Sequence, residues 1–130
     1  MAEASIDAML LDTDVVIEVL RGRNQEIVGR WTTVAGSSTM ALYSPITAAE
    51  LGRGVRPSEV KTLTEFLNKL TCLPADAQTG RLAGELLLRY QASHGLELPD
   101  AFIAATAIQH RLPLWTRNRK HYPMPELQLL

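Results

Sequence analysis

Leu10-Leu11-Asp12-Thr13-Asp14-Val15-Val16-Ile17 is the stretch whose reading decides the fold. An apolar run stops at an acid, and a helical pattern begins directly after it. A short run that is apolar throughout, as over 9–12, is the mark of a strand buried on both faces of a parallel sheet. A carboxylate at the end of such a strand is costly unless it is paired or holds a cation. Asp12 is therefore expected to be half of a cation site, with other oxygen ligands brought in from elsewhere in the chain.

Outward from that stretch, Thr13 to Leu20 reads as helix, closed by Arg21 and a glycine at 22. Asn24 caps a second helix carrying Ile27, Val28, Trp31 and Val34 at helical spacing. Thr39 to Ser44 reads as a strand stopped by Pro45. Thr47-Ala48-Ala49-Glu50 has the capping-box pattern and opens a third helix. Ser58 caps a helix to about Leu70, with Val60, Leu63, Phe66, Leu67 and Leu70 on one face. Thr71 to Leu73 is a short strand ended by Pro74. A long helix spans about Asp76 to Ser93 and ends at His94-Gly95. Leu98-Pro99-Asp100 starts the next helix, with proline in its first turn and an acid beside it. Pro113 to Thr116 is a fourth strand, 117–122 a polar loop, and Leu127 to Leu129 a fifth strand. Short apolar strands alternating with helices predict an α/β layered fold with a parallel sheet.

The bulk properties exclude several classes. The chain has 130 residues, 46% hydrophobic and 21% charged, which suits one globular domain over 1–130, with 1–8 a loose N-terminal extension. No run reaches the ~20 apolar residues of a membrane span. The N-terminus has no basic segment ahead of an apolar one, which predicts a cytoplasmic protein. Cys72 is the sole cysteine, so neither an internal disulfide nor a multi-cysteine zinc site can form. The three histidines include no short-spaced pair, so there is no zinc-enzyme signature. Net charge is -1, unlike a strongly basic nucleic-acid binder. Its distribution is uneven. Residues 1–20 carry Glu3, Asp7, Asp12, Asp14 and Glu18 and no base, whereas 111–121 carry Arg111, Arg117, Arg119, Lys120 and His121 and no acid. If the fold joins these ends, an acidic pit gains a basic rim.

Ligand sites of open parallel sheets form at the carboxyl ends of strands. Asp12 and the Thr116–Asn118 turn belong at that edge, and Glu50 joins them if its helix packs normally. Asp100 is not placed by topology, since a helix that precedes a strand is expected to start at the far edge. Each residue also has a simpler reading. Asp12 can cap the first helix, Glu50 can be the capping-box partner of Thr47, Asp100 can answer the helix dipole, and Asn118 can be a turn residue. Asp14 and Glu18 are expected on the solvated face of the first helix, with Asp14 near enough to reach an ion through water.

Leu-Asp-Thr-Asp at 11–14, Ile-Thr-Ala-Ala-Glu-Leu at 46–51, Leu-Pro-Asp-Ala-Phe-Ile-Ala-Ala-Thr-Ala at 98–107 and Leu-Trp-Thr-Arg-Asn at 114–118 together resemble PIN-domain ribonucleases. The likeness is nearest to VapC-type toxins of bacterial type II toxin–antitoxin pairs, with the motifs in the family's order. The resemblance implies a three-layer α/β/α fold around a five-stranded parallel sheet, and an acidic cluster that binds Mg²⁺, or Mn²⁺, and hydrolyses RNA phosphodiesters. Asp12, Glu50 and Asp100 match the family's first three acidic positions. Asn118 stands at the fourth, commonly Asp, so one negative charge is missing. Hard cations held by carboxylates can activate water and clamp phosphate. The expected roles follow: Asp12 and Asp100 hold the ion, Glu50 orients the attacking water or shares the ion, and Asn118, with Thr116 behind it, positions water or phosphate. Arg117, Arg119 and Lys120 are candidates for the RNA backbone. The resemblance also implies a homodimer and a small antitoxin that wraps the helices and blocks the pocket. Crowded carboxylates should raise at least one pKa in the metal-free protein.

Two other readings compete. Asp12-Thr13-Asp14 fits the Asp-x-Asp start of a phosphatase with a nucleophilic Asp. That chemistry needs a later lysine and a paired-acid motif, and the chain offers only Lys61, Lys69 and Lys120 and no Gly-Asp-x-x-x-Asp. The other is a catalytically weak PIN-like module that works by holding a partner.

Overall fold

A computed structural model describes residues 7–130. The elements are β1 (Ala8–Leu11), α1 (Thr13–Arg21), α2 (Gln25–Ala35), β2 (Met40–Tyr43), α3 (Pro45–Gly54), a 3-10 turn (Pro57–Glu59), α4 (Val60–Asn68), β3 (Thr71–Cys72), α5 (Ala77–His94), α6 (Leu98–Gln109), β4 (Leu114–Trp115) and a second 3-10 turn (Arg119–His121). The four strands are all parallel, in the order β3-β2-β1-β4. β1 is therefore an interior strand, with Leu10 in register with Leu42 on one side and Leu114 on the other. The expectation of a loose extension falls mainly on residues outside those described; Ala8 already belongs to β1.

Alternation along the strands divides the core. Leu10, Leu42 and Leu114 pack with α5 and α6, through Ala83, Leu86, Ala101, Ile103 and Ala104. Met9, Leu11 and Trp115 pack on the other side with Val15 and Val16 of α1, Ile27 of α2 and Phe66 of α4. This is the expected α/β/α layering, since each strand side chain points to the face opposite its neighbour's. The Trp31 and Phe66 rings meet at 5.4 Å between α2 and α4, and the Arg30 guanidinium lies 4.7 Å from the Trp115 ring. Among the described residues, no helix is long and apolar enough to cross a membrane.

Four local expectations need correction. The fifth strand is reduced to one parallel bridge, Leu114 to Leu129. Leu114 N–H donates to Gln128 O and Leu114 O accepts from Leu130 N–H, both at 2.8 Å. β4 is only two residues long, and Pro123 and Pro125 withhold ladder donors just upstream, so there is no room for a longer pairing. The third helix begins earlier than Thr47. Ser44 is its cap, Pro45 occupies its first position, and Thr47 is fully buried inside the first turn. A 3-10 turn precedes α4, and Val60 is 47% exposed rather than part of the inner face.

The fourth correction moves Asp100. α6 is a crossover helix, which runs antiparallel to the strands and so begins at their carboxyl edge. It ends near the amino edge and turns into β4 through Arg111, whose left-handed φ of 54° lets Leu112 N–H reach Ala107 O. α5 is the additional helix that makes this return possible. Its first turn is tied to the last of α6, where Thr79 Oγ1 donates to Gln109 Oε1 at 2.6 Å.

Leu10 is fully buried at the centre of the sheet. Leu10→Ala should cost about 2–5 kcal/mol through lost burial and a residual cavity. Denaturant unfolding should show a lower midpoint with an unchanged m-value.

Candidate active site at the carboxyl edge

Asp12 is the last residue before α1 and its cap, with Oδ1 accepting the Thr13 N–H at 2.8 Å. The cap and the site residue are thus one group. Its other oxygen, Oδ2, accepts from the Thr116 hydroxyl at 2.7 Å and the Tyr122 hydroxyl at 2.9 Å. Asp12 is 5% exposed. Burial pushes its carboxyl above the usual range, the three donors pull it back, and the Asp100 charge adds to the rise.

Two hydroxyl side chains connect Asp12 to the other acids. Thr13 Oγ1 donates to Glu50 Oε1 at 2.8 Å, while its backbone N–H serves Asp12. Thr13 Oγ1 also meets Thr47 Oγ1 at 2.9 Å, which joins α1 to α3. Glu50 is therefore a partner of Thr13 in α1 rather than of Thr47. On the other side, the Tyr122 hydroxyl that serves Asp12 lies 3.4 Å from Asp100 Oδ1. Asp100 Oδ2 accepts the Glu97 N–H at 3.2 Å and faces His121 Nδ1 at 3.4 Å. The resulting chain is Asp100, Tyr122, Asp12, Thr13, Glu50, drawn from one strand end, two helix starts, the second turn of α3 and the loop after β4.

Asn118 does not join the acids directly. Its amide meets His121 Nδ1 at 2.9 Å, and its backbone N–H donates to Thr116 Oγ1 at 2.9 Å. Thr116 is thereby fixed from both sides. Asp14 and Glu18 are half-buried, not on a solvated face. Asp14 accepts the Arg117 N–H at 3.2 Å, and Glu18 pairs with Arg117 at 3.1 Å and Arg21 at 3.5 Å. These contacts draw the β4 loop onto α1. Burial, then the Asp12 charge, pushes the Asp14 carboxyl up to about 7. Of the three basic candidates, Arg117 is thus engaged with acids, and Arg119 Nη1 donates to Leu130 O at 3.3 Å. Lys120 has no ion pair among the described residues.

Sequence reasoning overlooked Tyr122 and His121. Tyr122 is 2% exposed and its contacts reach 110 positions back, so only the adjacency of a tyrosine to the Asn118 loop hinted at it. Burial and the charges of Asp12 and Asp100 push the Tyr122 hydroxyl far above its ordinary pKa, so it remains a donor.

Among the described residues, no three His, Cys, Asp or Glu side chains converge tightly enough to enclose an ion. The donor set instead fits a hard cation that keeps several waters and is held by one or two carboxylates. Beside Glu50, a groove of about 420 Å³ runs between α1, α3 and α4, with Ile17, Leu20, Leu51, Val55 and Leu63 as its apolar wall.

Comparison with known proteins identifies the family and the fold. The PIN domain family model matches residues 9–127. Ribonuclease VapC19 of Mycobacterium tuberculosis is 35% identical over 121 residues, 92% of this chain and 96% of that protein. A chain of a toxin-antitoxin complex from Klebsiella pneumoniae superposes with a TM-score of 0.72 at 25% identity, covering 94% of this chain and 95% of that one. VapBC2 from Rickettsia felis, solved bound to a promoter DNA fragment, shares the fold with a TM-score of 0.78 at 22% identity, over 95% of this chain and 97% of its own.

An acid whose folded pKa lies above its unfolded value holds its proton more tightly when folded. Its contribution is present below the unfolded value of 3.8 and is lost as pH rises through about 7. In metal-free buffer, stability should therefore decline between about pH 4 and about pH 8, with Asp12 acting in the same direction. Asp14→Asn should flatten that decline in denaturant titrations across this range. An unchanged slope would contradict the assignment.

Proposed function

The chain belongs to the PIN-domain family, in its VapC-type branch, and on that premise we propose that it is a metal-dependent ribonuclease, the toxin of a type II toxin–antitoxin pair. The observation that carries this reading is the linked set Asp100, Tyr122, Asp12, Thr13 and Glu50, which gathers acids from distant elements at one sheet edge.

Asp12 and Asp100 would hold Mg²⁺, with Mn²⁺ as a substitute and Glu50 as a further donor. When bound, such an ion lowers the pKa of a coordinated water and neutralises phosphate oxygens. The protein's own groups supply the rest. Glu50 Oε1 is committed to Thr13, so Oε2 is the atom available to orient an attacking water. Thr116 holds Asp12 in orientation and accepts the Asn118 N–H, and the Asn118 side chain would position water or phosphate. Asp14, tied to the loop by the Arg117 N–H, adds negative charge one step behind the ion. Lys120, with Arg117 and Arg119, would meet the RNA backbone. Their charge offsets the repulsion between an acidic pit and a polyanion.

The partner is an antitoxin, and the apolar groove beside Glu50 suits an amphipathic segment that also covers the acids. A cytoplasmic location, a single domain over 1–130 and a homodimer complete the proposal. A partner-holding module with weak catalysis is favoured by one observation, the neutral Asn118 turned toward His121.

With purified protein, total RNA and Mg²⁺, cleavage is expected, and EDTA should abolish it. Asp12→Asn should lower the rate by more than the ~10–100-fold typical of removing a group that only supports a metal ligand. Full cleavage by Asp12→Asn would sink the nuclease reading. Metal binding without cleavage in the unaltered protein would favour the partner-holding module.

A further inference from the structure

The hydrogen bonds around the acids leave each carboxylate with one open oxygen. Asp12 Oδ2 accepts from both Thr116 and Tyr122, which fills its two lone-pair directions. Asp12 Oδ1 accepts only the Thr13 N–H and keeps one direction free. Asp100 Oδ2 accepts the Glu97 N–H and lies 3.4 Å from His121 Nδ1, while Oδ1 faces the Tyr122 hydroxyl at a weaker 3.4 Å. The single hydroxyl proton goes to the shorter contact, on Asp12, so Asp100 Oδ1 stays available. Glu50 Oε1 is taken by Thr13, leaving Oε2. A cation at this edge thus meets carboxylates that can each offer one oxygen.

That restriction distinguishes ions. Ca²⁺ takes six to eight oxygens at flexible geometry and commonly uses a carboxylate through both of its oxygens. Mg²⁺ demands near-octahedral geometry, takes carboxylates singly and keeps water. We propose that Tyr122 is a positioning residue that makes the site selective for a small octahedral divalent cation, by committing Asp12 Oδ2 so that Asp12 offers the ion only one oxygen. The proposal deepens the nuclease reading and rests on it.

Tyr122 suits the task. Its ring is buried in the core with Met124 and Leu127, so the hydroxyl is delivered from a rigid base. Thr116 donates to the same oxygen and is held by the Asn118 N–H. Tyr122→Phe keeps the ring and removes the donor; Thr116→Val keeps the shape and removes the other.

The test is calorimetric titration of the full chain with Mg²⁺, Mn²⁺ and Ca²⁺, with no RNA present. The Mg²⁺-to-Ca²⁺ affinity ratio should fall ~10-fold or more in Tyr122→Phe, within the range seen when groups that orient metal ligands are removed. Thr116→Val should move the ratio the same way, and it decides the matter if Tyr122→Phe does not fold. An unchanged ratio, or equal losses for both ions, would mean that Tyr122 serves packing alone and would overturn the proposal. Asp12→Asn separates the two levels. If it abolishes Mg²⁺ binding while the Tyr122→Phe ratio stays unchanged, only the role of Tyr122 fails. If it leaves Mg²⁺ binding intact, the site itself is misassigned.

Discussion

The structure depends on accommodating one buried carboxylate at the end of an interior strand. Asp12 ends the central strand, and its neighbours on that strand belong to two separate apolar clusters. An unpaired charge there would cost several kcal/mol, so the fold surrounds it with donors. Those donors come from α1, from the end of β4 and from the loop beyond it. Each donor is also an attachment. Thr13 starts α1, Thr116 ends the β4 segment, and Tyr122 fixes the returning loop to the core. Solvating one anion and assembling the carboxyl edge are the same set of hydrogen bonds.

Electrostatic crowding and hydrogen bonding pull in opposite directions at this edge. Burial and mutual repulsion raise the pKa of Asp12 and Asp14, whereas hydroxyl and amide donors favour the ionised forms. The metal-free fold therefore holds a site that is destabilised by its own charge. A divalent cation would relieve both terms at once, so binding and folding are linked. Arg117 contributes through its backbone N–H to Asp14 and its guanidinium to Glu18. That cation spends part of its charge inside the protein, whereas Lys120 has no ion pair among the described residues.

Much of this was legible in the sequence. Gly22 and Gly95 end α1 and α5 in left-handed conformations, Asn24 caps α2, and the strand expected over 9–12 is the interior strand β1, Ala8–Leu11, shifted by one residue so that Asp12 caps α1. Those features are set by local sterics and hydrogen bonding, which periodicity and capping residues report directly. The misreadings were of two kinds. Ser44 and Thr47 are both good caps, and local pattern could not show that Pro45 would start the helix rather than merely end the strand. The fifth strand failed because its partner β4 is too short to pair with it, a property of the neighbour. The site was legible as a set of acids but not as a network. Tyr122 reads as a core aromatic, and the direction of its hydroxyl is settled only by the packing around its ring. Topology alone leaves Asp100 unplaced, because a helix that precedes a strand is expected to start at the far edge, and the family resemblance is what assigns it to the acids.

The alanines of α6 have a further consequence. Ala101, Ala104, Ala105 and Ala107 are all fully buried, so the helix packs against the sheet and α5 with almost no side-chain padding. Asp100 sits in its first turn, and the standoff of the whole helix sets how far that carboxylate lies from Asp12. The alanines act as shims of fixed thickness. Divergence elsewhere in the core can be absorbed by repacking, but a larger residue on this face would slide a charge sideways along the sheet edge. The spacing of the acids is thus stored in residues that carry no polar atoms in their side chains and touch no substrate.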